Sequence, residues 1–473
     1  MVNARKLDAA LVCARTLLPG SIAALRQFIS FPSVSAQPRH AADVRRCAAW
    51  LAARLRRIGM GRVEIVPTAR HPLVLAEWRR APGRPTLLIY GHYDVQPAEP
   101  LEQWTSPPFA PEVRGGHLYG RGASDDKGQL SVHLTALEAC LRGAGGLPVN
   151  VVCLFDGEEE IGSPSLGGFL RTRGTALGAD AAVISDTRML GPDRPAMVYA
   201  LRGSLNSELE VCGPAQELHS GSFGGAVHNP LQALCVLIAG LHDAGGRVAI
   251  PGFYDRVRRW GPAERAFMAR SGPDDPAILR DARAPGPWGE RGYSLYERTT
   301  IRPALVVTGL RGGYVGPGAK SALPAHASAR LNLRLVPDQD PAEVAALLQR
   351  HVAQRTPPTV RATVRTSGGT RAALVDRRHP AMRAAARAYR AGFGRAPVLL
   401  RSGGTIPAVS MLEEALGIPT VLMGFALPDD RMHAPNERFR LSIFPRALVT
   451  SIHFLHELGD AVATTPTSRA TMV

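Results

Sequence analysis

Across the first 200 residues, stretches with helical spacing alternate with short apolar runs. Residues 41–59 place Val44, Cys47, Ala48, Leu51 and Leu55 on one helical face. Apolar, partly β-branched runs follow at 74–77, 86–90, 149–155 and 181–184. Each is bounded by Gly, Pro or charged residues, which reads as buried parallel strands. A helical stretch, 130–141, separates the second run from the third. This alternation predicts an open α/β sheet, whose ligands gather beyond the carboxyl ends of the strands.

The pattern changes near Gly203. Residues 204–211 alternate as a half-exposed strand does, 231–241 have helical spacing, and a Pro/Gly-rich stretch from 251 to 303 reads as loops. Strands resume at 305–310, 326–336 and 360–366, with a helix at 341–355. From Pro380 the first style returns: a helix to Ala391, strands at 398–400 and 419–423, and a closing helix at 443–458. We therefore expect an α/β domain of residues 1–203 and 370–473, interrupted by an α+β domain of 204–369. The tail from Thr464 is small and polar, and is expected to fray.

Composition changes this picture little. With 45% hydrophobic and 20% charged residues, the 473-residue chain matches a globular protein of two or three domains. The net charge of +16 raises nucleic acid as a partner. Yet there are only three lysines, the arginines are scattered, and no basic run carries interleaved aromatics, so no nucleic-acid partner is expected. The same positive field favours substrates that carry carboxylates. The six cysteines lack CxxC spacing and read as reduced core thiols. No run of about 20 apolar residues is evident, and Arg15 interrupts the apolar N-terminal stretch, which reads as a first helix. No membrane span is expected, and cytoplasm is the default location.

The chemistry lies at the strand ends. GHYD follows Tyr90, DGEEE follows Phe155 and SD follows Ile184. Taken singly, each has an ordinary explanation: Glu158–Glu160 as a helix N-terminus, Asp125 and Asp126 as a turn with an N-cap, a histidine as a hydrogen-bonded surface residue. Three strand ends delivering acids to one edge is harder to explain so, because carboxylates packed without cations repel one another. Divalent ions resolve that cost, since imidazole nitrogen and carboxylate oxygen hold them and a shared carboxylate bridges two ions about 3.5–4 Å apart.

GHYDVQP (91–97), GRGASDDKGQ (120–129), DGEEEIGS (156–163), SD (185–186), HSG (219–221), GGTIP (403–407) and RMHAPNE (431–437) stand in the order found in the co-catalytic metallopeptidases. The chain thus resembles the family of cytosolic non-specific dipeptidase, carnosinase, carboxypeptidase G, acetylornithine deacetylase and succinyl-diaminopimelate desuccinylase. GHYDVQP, DDKGQ and AKSALP (319–324) look most like its dipeptidase branch. The resemblance implies a zinc-exopeptidase-like fold, a mixed, mostly parallel sheet with helices on both faces, interrupted by a lid and dimerisation domain. It implies two divalent ions per subunit, zinc first and manganese or cobalt as alternatives. His92 and Asp186 would hold one ion, Glu160 and His433 the other, and Asp125 would bridge them. Asp94 would orient His92, and the Asp125–Asp126 peptide bond would be cis. Glu159 would be the general base, leaving Glu158 as the spare of the three glutamates. His219 would act across a homodimer interface as an oxyanion donor. Arg334, Gly404 and Thr405 would bind the substrate's terminal carboxylate.

The activity implied is cleavage of the amide bond of dipeptides, by Glu159-assisted attack of a water held between the metals. N-acyl-amino-acid deacylation, with every metal residue shared, is the alternative. A non-catalytic binding protein on this fold would be expected to lack Glu159. Two positions depart from the animal dipeptidases: Ser402 stands where they carry a glutamate and Ser367 where they carry a histidine. Losing that acid relaxes the demand for a free α-amino group, so blocked substrates are expected to be turned over as well.

Overall fold

The computed structural model describes residues 2–462, so the tail expected to fray lies outside the described residues. In chain order, α1 (Val2–Ile29) and α2 (Ala41–Ile58) precede three strands, β1 (Arg62–Val66), β2 (Leu73–Trp78) and β3 (Thr86–His92). The short β4 (Glu112–Arg114) and β5 (His117–Tyr119) lead to α3 (Lys127–Gly143). Next come β6 (Asn150–Asp156), α4 (Leu166–Leu177), β7 (Ala181–Ile184) and β8 (Ala196–Leu201). The chain then forms β9 (Gly203–Cys212), β10 (Leu218–His219), α5 (Ser220–Phe223), α6 (Pro230–Ala239), α7 (Pro262–Ser271), α8 (Asp275–Ala282) and α9 (Leu295–Thr300). Strands β11 (Ala304–Gly312), β12 (Ala322–Leu323) and β13 (His326–Leu335) precede α10 (Pro341–Arg355), β14 (Arg361–Thr370) and β15 (Ala373–Leu374). The last elements are α11 (Pro380–Phe393), β16 (Val398–Ser402), α12 (Pro407–Leu416), β17 (Thr420–Leu422), β18 (Arg438–Arg440) and α13 (Ile443–Val462).

These elements divide into two units. The first comprises residues 1–199, 375–399 and 407–473, and the second 200–374 and 400–406.

The first unit is built on a mixed sheet in the order β1-β2-β6-β3-β7-β17-β8. Its centre, β6-β3-β7-β17, is parallel. Every residue of β3 and β7 is buried, so both faces of the sheet are covered. Helices α1, α2, α3, α11 and α13 pack among themselves, and α4 packs with α12. The registers His92↔Asp156 and Tyr90↔Ile184 align the carboxyl ends of three neighbouring strands, which is what gathers the site.

Three sequence expectations need correction. The run at 74–77 does not lie in a parallel strand: β2 pairs antiparallel with both β1 and β6. Continuous burial reports that both faces are covered, and β2 is covered whichever way it runs. The stretch 251–303 contains α7, α8 and α9 as well as loops. Pro262 and Pro276 stand in the first turns of α7 and α8, where the missing N–H costs nothing, and Asp274 and Ser294 cap α8 and α9 with side-chain hydrogen bonds. Finally, Ala4–Ile29 of α1 is long and apolar enough to cross a membrane by length and composition. That helix carries Arg5, Lys6, Asp8, Arg15 and Arg26, and buries Ala10, Ala14, Leu25, Phe28 and Ile29 where it packs on α3 and α13.

The second unit contains the antiparallel sheet β11-β13-β9-β14. Inward residues of β9 and β13, among them Leu205, Leu209, Leu331 and Leu333, pack with Leu234 of α6 and Leu348 of α10. The alternating burial of β9 and β13 gives one covered face and one polar face. All six cysteines of the chain are free.

Candidate metal centre

The loop 120–126 delivers Asp125 just before α3, and its course depends on glycine. A Cβ on Gly128 would lie 1.8 Å from the Ala123 carbonyl oxygen, and Gly122 has a φ of +89°. The Asp125–Asp126 peptide bond is cis. His433 sits in a turn in which Arg431, His433 and Asn436 all have positive φ.

Asp125 stands between two imidazoles. Its Oδ1 is 3.1 Å from His92 Nε2 and its Oδ2 is 2.7 Å from His433 Nε2. His433 Nε2 is also 3.3 Å from Glu160 Oε1. Donor atoms of His92, Glu159 and Asp186 lie within 4.8 Å of one another, as do those of His92, Asp125 and Glu160. All five ligand candidates of the sequence, with Glu159, are thus brought together in the first unit.

Asp94 ties this group together. His92 Nδ1 lies 3.1 Å from the Asp94 carbonyl oxygen and 3.4 Å from its Oδ1. The same carboxylate accepts the backbone N–H groups of Glu159 (3.2 Å) and Glu160 (3.1 Å), and the Ser35 hydroxyl at 2.6 Å. Glu158 turns away: it is fully buried and accepts from His71 N–H, Thr68 Oγ1, Ser165 N–H and Ser165 Oγ.

The electrostatics follow from this crowding. Burial, reinforced by neighbouring acids, holds the carboxyls of Glu159 and Asp186 well above the usual range. Hydrogen bonds that the imidazole donates to Asp125 and Glu160 push His433 up to about 10. Burial opposes ionisation of Asp125, yet bonds to His433 and His92 outweigh it and hold its carboxyl below the usual range. Glu160 Oε1 is buried, and His433 Nε2 at 3.3 Å is the group that approaches it. A set of imidazoles and crowded, buried carboxylates fits divalent cations.

The other sequence candidates lie in the second unit. His219 is exposed, and its Nδ1 accepts the Ser222 N–H at 3.2 Å, capping α5. Arg334, Gly404 and Thr405 are joined: Arg334 Nη1 donates to Thr405 Oγ1 (3.1 Å), which donates to the Arg202 carbonyl (2.6 Å), while Arg202 N–H donates to the Gly404 carbonyl. Ser402 Oγ accepts the Gly404 N–H at 3.1 Å. Arg202 itself was not foreseen. Among the described residues its buried guanidinium donates only to the carbonyls of Gly403, Arg298 and Arg302. Burial, then the charge of Arg334, lowers it to about 10.

In the first unit, sequence reasoning also missed Gln96, whose Nε2 donates to Glu160 Oε2 at 2.7 Å, and Glu437. Both stand inside the motifs already quoted, so membership of a motif was the available signal.

A family profile described as Peptidase family M20/M25/M40 matches residues 88–458. The Cys-Gly metallodipeptidase of Schizosaccharomyces pombe is 32% identical over 403 residues, covering 82% of this chain and 83% of the relative. Human Beta-Ala-His dipeptidase is 30% identical, covering 88% of this chain and 85% of the relative. Among solved structures, the M20 family metallo-carboxypeptidase Sso-CP2 from Sulfolobus solfataricus has a TM-score of 0.85 at 31% identity, covering 93% of this chain and 99% of that one. With the profile spanning most of the chain and the acid cluster seated at the strand ends, this protein belongs to peptidase family M20/M25/M40.

Proposed function

We propose that this member of the family is a metal-dependent dipeptidase, a hydrolase of the amide bond of dipeptides with a free terminal carboxylate. The observation that carries the reading is Asp125 set between His92 and His433, with Glu159, Glu160 and Asp186 around it. The names of the relatives, Cys-Gly and Beta-Ala-His dipeptidases, point to the same substrate class.

His92, Asp125, Glu160, Asp186 and His433 are the residues proposed to hold two divalent ions, zinc first. Such ions supply Lewis acidity at a water and at the scissile carbonyl oxygen. Glu159 is the proposed base: a carboxyl held above its usual range by burial takes the proton of the attacking water and returns it to the leaving amine. Asp94 keeps the His92 ring and the Glu159–Glu160 backbone in one frame. Arg334, with Gly404 and Thr405, is proposed to take the substrate carboxylate. His219, an exposed imidazole with Nδ1 committed to capping, is proposed to serve the site of a second copy in a homodimer, donating to the developing oxyanion.

One observation favours N-acyl-amino-acid deacylation as a second reading. Among the described residues no carboxylate pairs with Arg202 or Arg334, and Ser402 supplies only a hydroxyl beside Gly404. A metal-reconstituted assay of Cys-Gly, β-Ala-His and their N-acetyl derivatives separates the readings. Cleavage of the free dipeptides is the expected result. Turnover confined to the blocked compounds would transfer the assignment to the deacylases, and no turnover of any of them would overturn the proposal.

A further inference from the structure

Two of the proposed ligands, Asp125 and His433, come from stretches far apart in the chain, and one buried side chain joins those stretches. Glu437 has no solvent exposure. Its Oε1 accepts the backbone N–H groups of Ser124 (2.9 Å) and Asp125 (3.0 Å). Its Oε2 accepts the Gly122 N–H (3.0 Å) and Arg121 Nη1 (2.8 Å). Its own carbonyl accepts the Gly120 N–H at 3.0 Å. A carboxylate has about four lone-pair sites, and here each meets a donor from residues 121–125.

Asp430 adds a second tie. Its Oδ2 accepts the Ser124 hydroxyl at 2.6 Å and the Leu427 N–H at 2.7 Å. The turn between these two acids contains Arg431, His433 and Asn436 at φ of 60°, 63° and 60°. Non-glycine residues persist in that region only where their surroundings over-determine the backbone. Glu437, Asp430 and Asn436, whose amide bridges the Thr105 N–H and the Gln103 carbonyl, supply that constraint.

We infer that Glu437 is a positioning residue for the metal centre: the anion around which the loop 121–125 folds, fixing Asp125 relative to His433. The inference rests on the metal-centre reading above. An acid that only stabilised the fold would make a different prediction, because its loss would lower stability and leave the folded protein's metal site intact. Glu437→Gln separates the two. The amide nitrogen that replaces one oxygen cannot accept, so at least one pair of N–H donors loses its partner and the loop must move.

The test uses the full-length chain. Metal affinity is measured by chelator competition, ligand geometry by the visible absorption of the Co2+-loaded protein, and kcat and KM with Cys-Gly. Glu437→Gln should weaken metal binding by about 10–100-fold, alter the Co2+ spectrum, and lower kcat with little change in KM. If Glu437→Gln does not fold, Asp430→Ala decides: it removes only the smaller tie, the acceptor of the Ser124 hydroxyl and the Leu427 N–H, and should give the same pattern at several-fold size. A folded variant with wild-type metal affinity and an unchanged Co2+ spectrum would overturn the inference, whatever its melting temperature. Asp125→Ala, run alongside, keeps the two failures apart. If it abolishes metal binding while Glu437→Gln does not, only this inference falls; if it too binds normally, the metal-centre reading falls.

Discussion

The acid cluster of the first unit and the arginine cluster of the second have opposite defects. The first packs Asp94, Asp125, Glu159, Glu160 and Asp186 around two imidazoles, His92 and His433. The second has the buried Arg202 beside the half-buried Arg334, with no carboxylate on either among the described residues. Ordinary charge pairing looks different, as elsewhere in the second unit, where Arg302 meets Glu290 through two bonds of 2.7 and 2.8 Å. Uncompensated buried charge is costly unless something of opposite sign arrives. The comparison therefore matches the proposal of cations at the first cluster and a substrate carboxylate at the second.

The strongest way to break this comparison is to remove the centre of the acid cluster. Asp125→Ala leaves His92 and His433 without their shared partner, so bound metal and hydrolysis should both fall to background, by metal analysis and a Cys-Gly assay. Glu159→Ala is the next largest effect: kcat should fall by roughly 10²–10⁴-fold while the metals remain, as expected for a proton-transfer group. On the arginine side, Arg334→Ala should raise KM for substrates with a free carboxylate, lowering kcat/KM by roughly 10–150-fold, the worth of a charged hydrogen bond. A carboxamide substrate should lose far less. If it loses equally, the cluster is not an anion site.

A last effect, on stability and not on activity, concerns a buried group whose needs are met by neutral partners. His133 lies between Ser185 Oγ (2.7 Å) and Ser451 Oγ (2.9 Å), and Ser185 donates to the Met423 carbonyl, which assigns the ring proton to Nε2. Burial lowers its pKa to about 4. Below pH 6.5 the unfolded chain takes up the proton and the folded chain does not. The stability His133 contributes is therefore full above 6.5 and is lost as the pH falls to 4, by about 3 kcal/mol. Urea midpoints across that range should shift less in His133→Gln than in the natural chain.

Much of the acid cluster was legible because strand ends and motifs coincide in sequence: GHYD, DGEEE and SD each close an apolar run. What escaped was set by tertiary context. The direction of β2 is invisible in a run that is buried either way. Helices α7 and α8 carry prolines in their first turns that read as loop residues until those positions are seen. Helix α4, with Gly167, Gly168 and Gly174, lacks the propensity to announce itself. Glu437 stands in a polar run with no periodicity, and only the fold shows that it is buried against the loop of Asp125.

The central claim, that the crowded acids of the first unit are held together by divalent cations, is tested most directly by metal stoichiometry. The chain is stripped with chelator, titrated with Zn2+, and followed by calorimetry and Cys-Gly hydrolysis in parallel. Two equivalents per chain, with hydrolysis appearing as they bind and both lost in Asp125→Ala, is the predicted result. Saturable binding and activity that survive Asp125→Ala, or a natural chain that binds no metal at all, would contradict it.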